Sequence, residues 1–205
     1  SGEHLNALQA LGGSVNATTW FDRTNYFETL PVGALDLALW MEADRLATLP
    51  DHLDEASVQT QREVVKEEKR QRYDNVPYGD AMPQLVELVF GPDHPYGHTT
   101  IGSMADIDGA TVEGAATFFR NHYRPDNAVL TIVGDITAKD AFKRAERYFG
   151  HLPSWNRRVR PAAVALAPLT GVPTSEVTGR VPAAATYYAW RLPARDTWAF
   201  DACEL

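Results

Sequence analysis

Glu67 and Glu68 are the residues whose setting could do chemistry. They lie in residues 61–72, where eight of twelve side chains are charged, yet Val64 and Val65 sit together in the middle. From Asp54 to Tyr73 there is no Pro or Gly, and Glu, Gln, Lys and Arg dominate, which predicts a helix. Asp54 reads as its N-cap, and Asp74-Asn75 followed by Pro77 and Gly79 as its stop. Val64, Glu68 and Arg72 share a face at four-residue spacing, with Gln61 two turns before Glu68. The valines lay this helix against a neighbour, and a carboxylate on a packed side must be paired, hydrogen-bonded or bound to a metal. The same pattern also suits a solvated face with (i, i+4) pairs such as Glu68–Arg72. Periodicity leaves both readings open.

Other candidate ligands are poorly spaced. His94 and His98 have the (i, i+4) count, but Pro95 and Gly97 between them forbid an ordinary helix. His4, His52, His122 and His151 are scattered. Cys203 is the only cysteine, so an internal disulfide and a cysteine zinc cluster are excluded; it reads as a small buried residue in a helix. The net charge of −8 argues against nucleic acid and an anionic membrane surface as partners. The longest apolar runs, such as residues 128–133, are strand-length, and no segment is expected to span a membrane. No glycine-rich phosphate loop is present, so nucleotide binding has no support.

The elements that must position the acidic helix follow from pattern. A short helix runs to Gly12-Gly13, followed by strands over 14–20 and 24–29 with Asp22-Arg23 at the turn. Pro31 opens a long helix to about Ala47, with Leu35, Leu39 and Leu46 on one stripe. Residues 80–90 read as a further helix, and 91–102 as a Gly/Pro/His-rich loop. Thr111 caps a helix whose Val112, Ala115, Phe119 and Tyr123 share a face. Residues 128–133 are an apolar run typical of a buried strand. Thr137 with Asp140 forms a capping box for a helix ending at Phe149-Gly150. Residues 153–176 carry four prolines and the basic trio Arg157, Arg158 and Arg160, and read as a solvated linker. Residues 187–192 read as a strand, and a new helical pattern starts in the closing FDACEL. Irregular alternation with an antiparallel hairpin indicates an α+β layered domain rather than a doubly wound parallel sheet.

Four segments in order resemble one family. QREVVKEEKRQRYDN with the following PYG, GGSVNATTWFDRTNYFETLP, HPYGHTTIG and FFRNHYRPDNAVLTIVGDI are similar to the pitrilysin / mitochondrial processing peptidase family of inverted zinc metallopeptidases. The resemblance covers residues 2 to about 155. It implies an antiparallel sheet covered by helices, one of two similar halves. Residues 1–152 would be the zinc-ligand-bearing half lacking its start, 153–176 the linker and 177–205 the beginning of the second half. The chain opens without Met and closes inside a helical pattern, so it is expected to be an internal piece of a longer protein.

The resemblance also implies roles. A catalytic zinc takes three protein ligands and keeps one position for water. Two would be the histidines of a His-x-x-Glu-His helix, whose Glu is the base, and the third a Glu on a separate helix. Glu68 matches that third ligand, and Glu67 does not. Gln61, where the family often has Glu, would hydrogen-bond the site. No His-x-x-Glu-His occurs in the 205 residues; the resemblance places it upstream of Ser1. No catalytic base is therefore assigned. Asn16, Ala17 and Thr18 match the edge strand to which a peptide substrate adds as an extra strand, a mode in which the backbone supplies affinity. Trp20, Phe21, Tyr26 and Phe27 read as core and hairpin packing, with Phe21 also a candidate pocket wall.

The expected function is a zinc-dependent metalloendopeptidase for extended or unfolded peptides, with zinc bound by the intact protein and this chain inactive by itself. The expected partners are a peptide substrate and a second half-domain or homologous subunit. The alternative is a non-catalytic partner or structural subunit that keeps the fold without the metal site. The lack of disulfides is compatible with a cytoplasmic setting.

Overall fold

Alternation of β-branched and aromatic residues around Phe21-Asp22 makes the hairpin. In the computed structural model, which describes residues 3–153 and 162–204, strand β1 (Ser14–Trp20) pairs antiparallel with β2 (Arg23–Thr29). The register sets Val15 opposite Glu28, Asn16 opposite Phe27 and Ala17 opposite Tyr26. Directly opposite residues share a face. Val15, Ala17, Tyr26 and Glu28 therefore occupy one face, and Asn16, Thr18, Phe27 and Asn25 the other.

The described residues form two compact units, those within 1–62 and 108–153, and those within 63–107 and 162–204. In the first, helix α1 (Glu3–Ala10) ends where the Gly13 amide donates to the Leu8 carbonyl, with Gly12 at positive φ. Helix α2 (Leu35–Thr48) follows a short 3₁₀ turn after Pro31. Leu8, Ala38 and Met41 are buried together, with Val15, Leu30 and Leu37 packed against them. The apolar side of the hairpin thus rests on α1 and α2. Hydrophobic burial of this kind contributes about 25 cal/mol per Å² removed from water.

Helix α3 (Glu55–Lys69) opens as read: Asp54 Oδ1 accepts the Ser57 amide at 2.7 Å, and Ser57 Oγ accepts the Asp54 amide at 3.1 Å. Beyond Lys69 the ladder widens into a π-helical turn, Arg70–Asp74, which the composition did not signal. Helix α4 (Ala81–Phe90) and a short α5 (Met104–Asp108) follow, and α5 was not anticipated. Helix α6 (Val112–His122) is capped by Thr111, whose Oγ1 accepts the Gly114 amide at 3.0 Å, and it buries Ala116 and Phe119. Helix α7 (Ala138–Phe149) carries the expected Thr137–Asp140 box, the Asp140 amide donating to Thr137 Oγ1 at 3.2 Å. Helix α8 is Trp198–Glu204.

Two expected strands are not formed. Residues 128–133 are irregular and without ladder partners among the described residues, and Val129 is 93% exposed. Residues 187–192 likewise form no strand, and Trp190 is exposed. Propensity favours an extended backbone, but a strand also needs a neighbour to take its hydrogen bonds. Cys203 is exposed rather than buried. Of the expected linker, residues 154–161 with Arg157, Arg158 and Arg160 lie outside the described residues, and 162–176 contain no regular element. The architecture is α+β, helices with a small antiparallel sheet. No described helix is long and apolar enough to cross a membrane.

Candidate functional site

Glu68 stands in the last turn of α3, where Val64 is exposed and Val65 only half-buried. Its Oε1 lies 3.0 Å from Arg72 Nη1, the (i, i+4) pair that charge spacing allows, and its side chain is 41% exposed. An open concavity of about 530 Å³ is lined by Glu63, Val64, Glu67, Glu68 and Gln71. Glu63 pairs with Lys66 at 3.2 Å. Glu67 accepts a hydrogen bond from Gln71 Nε2 at 2.9 Å and pairs with Arg70 at 3.3 Å. The Gln71 hydrogen bond, followed by the Arg70 one, holds the Glu67 carboxyl below the usual carboxylate range. Gln61 is exposed.

The glycines of the two PYG segments have a packing reason. A Cβ on Gly79 would lie 1.8 Å from the Tyr73 carbonyl oxygen, so only glycine lets the chain fold back against the π turn. A Cβ on Gly97 would meet the Gly91 carbonyl oxygen at 1.9 Å. In that loop His94 Nδ1 accepts the Tyr96 amide at 3.1 Å, and its ring stacks on Phe90. His98 Nδ1 faces the Thr99 carbonyl at 2.9 Å. The two histidines are engaged by backbone groups and do not converge on one point.

Zinc requires three protein donors at a catalytic centre. Among the described residues no group of three or more His, Cys, Asp or Glu could hold a metal ion. Glu68 supplies one anionic donor, now paired with Arg72, and these residues do not make a zinc centre on their own.

Asn16, Ala17 and Thr18 lie on β1, whose only ladder partner among the described residues is β2. All three are exposed. Asn16 Oδ1 accepts the Ala17 amide at 2.8 Å, and Arg23 Nη1 donates to Thr18 Oγ1 at 3.0 Å. Of the hairpin aromatics, Tyr26 has its hydroxyl 2.9 Å from that of Tyr123 and Arg45 over its ring. Tyr26 itself, Trp20 and Phe27 are all exposed, against the expectation of core packing, with the edge of Trp20 to Phe21 at 5.4 Å. Sequence reasoning missed the polar cluster beneath this hairpin. Its signal was the two-residue spacing of Tyr26 and Glu28, which puts both on the α2 side.

The family described as peptidase M16 inactive domain matches residues 110–203, a span that begins after both β1 and Glu68. A zinc protease, PqqE, from Helicobacter pylori is 32% identical over 161 residues, which cover 78% of this chain and 36% of that protein. A probable mitochondrial-processing peptidase subunit beta from Schizosaccharomyces pombe is 27% identical over 141 residues, 69% of this chain and 30% of that one. The crystal structure of a protease from Helicobacter pylori superposes with a TM-score of 0.72 at 32% identity, covering 78% of this chain and 38% of that one. The chain thus spans about a third of the length of these relatives.

Proposed function

Because the chain belongs to the pitrilysin / processing peptidase family of M16 peptidases, we propose that it is part of a zinc-dependent metalloendopeptidase acting on extended or unfolded peptides. The 32% identity to a zinc protease across 78% of this chain is the observation that supports the reading. The whole protein would hydrolyse the peptide bond with metal-activated water, the class of chemistry zinc supplies when bound. In this chain Glu68 would be one anionic ligand, exchanging Arg72 for the dication. Asn16, Ala17 and Thr18 would receive the peptide as an added strand along β1. Residues 1–152 would belong to the ligand-bearing half and 177–205 to a second, similar half, or to one that docks with a homologous subunit.

The test is zinc content and peptide cleavage by the whole protein. One zinc per molecule with chelator-sensitive cleavage of an unstructured peptide is expected; a metal-free, inert whole protein overturns the reading. That second outcome would favour a non-catalytic partner subunit, a role consistent with the description of the family that matches residues 110–203.

A further inference from the structure

The β1–β2 hairpin needs more than its own ladder, since a lone two-stranded sheet is marginally stable in water. Its first support is near the start of β1, where Val15 packs against Leu8, Ala38 and Met41. A second lies two residues further along β1, at the Ala17–Tyr26 pair. Tyr26 shares the face of Val15 and Ala17, and its hydroxyl lies 2.9 Å from that of Tyr123 at the end of α6. The guanidinium carbon of Arg45, from α2, stands 3.9 Å from the centre of the Tyr26 ring.

Both partners of Tyr26 are themselves held. Arg45 Nε donates to Glu42 Oε1 at 3.3 Å, and the two side chains are only 21% and 27% exposed. Tyr123 stacks on the buried Phe119 of α6 with ring centres 4.1 Å apart, and its amide donates to the Phe119 carbonyl at 2.8 Å. In the same last turn of α6, Arg120 pairs at 3.1 Å with Asp51 of the 3₁₀ turn that follows α2. We propose that Tyr26 is a positioning residue, which through Tyr123 and Arg45 holds the Ala17 stretch of β1 in place to receive the peptide as an added strand. This role rests on the peptidase reading of β1.

An added strand takes its hydrogen bonds from the backbone of β1, so its affinity depends on that backbone being held where the peptide meets it. Those bonds are made before and during the reaction alike. A loosened rim therefore weakens ground state and transition state equally, which is read in KM rather than in kcat. Tyr26→Phe removes the hydroxyl and keeps a ring beneath Arg45. Tyr123→Phe removes the same bond from the other side and keeps the stack on Phe119. The hydroxyl pair is open to solvent, so the hydroxyl left behind turns to water. Loss of the bond then changes an equilibrium by about two- to tenfold. Released from the helices, the hairpin frays, and the anchoring is read in amide exchange as well.

Kinetics and hydrogen exchange on the whole protein test it. With an unstructured peptide as substrate, each variant is expected to raise KM about two- to tenfold at unchanged kcat. The double variant Tyr26→Phe/Tyr123→Phe is expected to do no more than either alone, because both changes remove one bond. A mere loss of folded protein would instead lower kcat at constant KM. The β1 and β2 amides are expected to exchange faster by the same factor in all of these variants. An unchanged KM in either single variant of an active protein, or additive effects in the double variant, overturns the positioning role. An inert wild-type protein sinks the peptidase reading instead; exchange then decides whether the bridge anchors the hairpin, and unchanged protection refutes it. Should Tyr26→Phe not fold, Tyr123→Phe carries the test.

Discussion

Replacing Glu68 by Gln in the whole protein separates a ligand from a surface charge. The helix loses only the Glu68–Arg72 pair, 3.0 Å long with side chains 41% and 71% exposed. Such a pair contributes about 0.3–0.5 kcal/mol. Gln and Glu have similar helix propensity, so the melting temperature should move by no more than about 2 °C. A zinc ligand is another matter, since the amide offers no anionic oxygen to a dication. Loss of a group that merely supports a ligand costs 10- to 100-fold, so loss of the ligand itself should exceed about 100-fold in zinc affinity and in turnover. Glu67→Gln is the internal control. Its partners Gln71 and Arg70 lie in the π turn that continues α3, its side chain is open to solvent, and fold, zinc and turnover should all be nearly unchanged. The assay is zinc stoichiometry after dialysis, peptide cleavage and circular dichroism for both variants side by side. Equal behaviour of the two refutes the assignment of Glu68, and a loss of helix in Glu68→Gln would show that the residue acts through the fold.

Three further outcomes are expected. The 205-residue chain in isolation should hold no stoichiometric zinc and cleave no peptide, as checked by metal analysis and a fluorogenic peptide; tight one-to-one zinc would contradict the donor count. Met41→Ala empties the centre of the Leu8–Ala38–Met41 cluster and should cost about 2–4 kcal/mol by denaturant unfolding. Gly79→Ala forces a methyl into the Tyr73 carbonyl, so it should destabilise the turn after α3 by more than the about 1 kcal/mol expected for Thr111→Ala at a simple cap.

Local rules read well where the partner is near in sequence. The hairpin, the Asp54, Thr111 and Thr137 caps and the extent of most helices followed from residues one to four apart. The Glu68–Arg72 pair was legible for the same reason. Residues 128–133 and 187–192 were misread because a strand is a statement about a neighbour, and β-rich composition alone carries no register. The π turn at Arg70–Asp74 escaped because the packing around it, the close return of Gly79 against Tyr73, involves residues beyond the helix. The Tyr26–Arg45 contact joins a strand to a helix more than a dozen residues away, and only the alternation of β2 hinted at it. Glu68 itself was singled out by motif resemblance, since its immediate chemistry is that of an ordinary surface carboxylate.

The hydrogen bond from the Ala17 amide to Asn16 Oδ1 has a consequence for solubility. A hairpin with a free rim is a template on which a second copy can lay down its own strand, the first step toward fibrous aggregates. By folding its carboxamide back on the next amide, Asn16 occupies a donor that an intruding strand would seek. The intruder must displace a bond with a net value of about 0.5–1.5 kcal/mol, a handicap of up to about tenfold per encounter. A weak, unspecific neighbour is turned away by that margin, whereas a chain held along its whole length can overcome it. The Asn16 side chain thus sets a small barrier against a strand that would pair at this single donor.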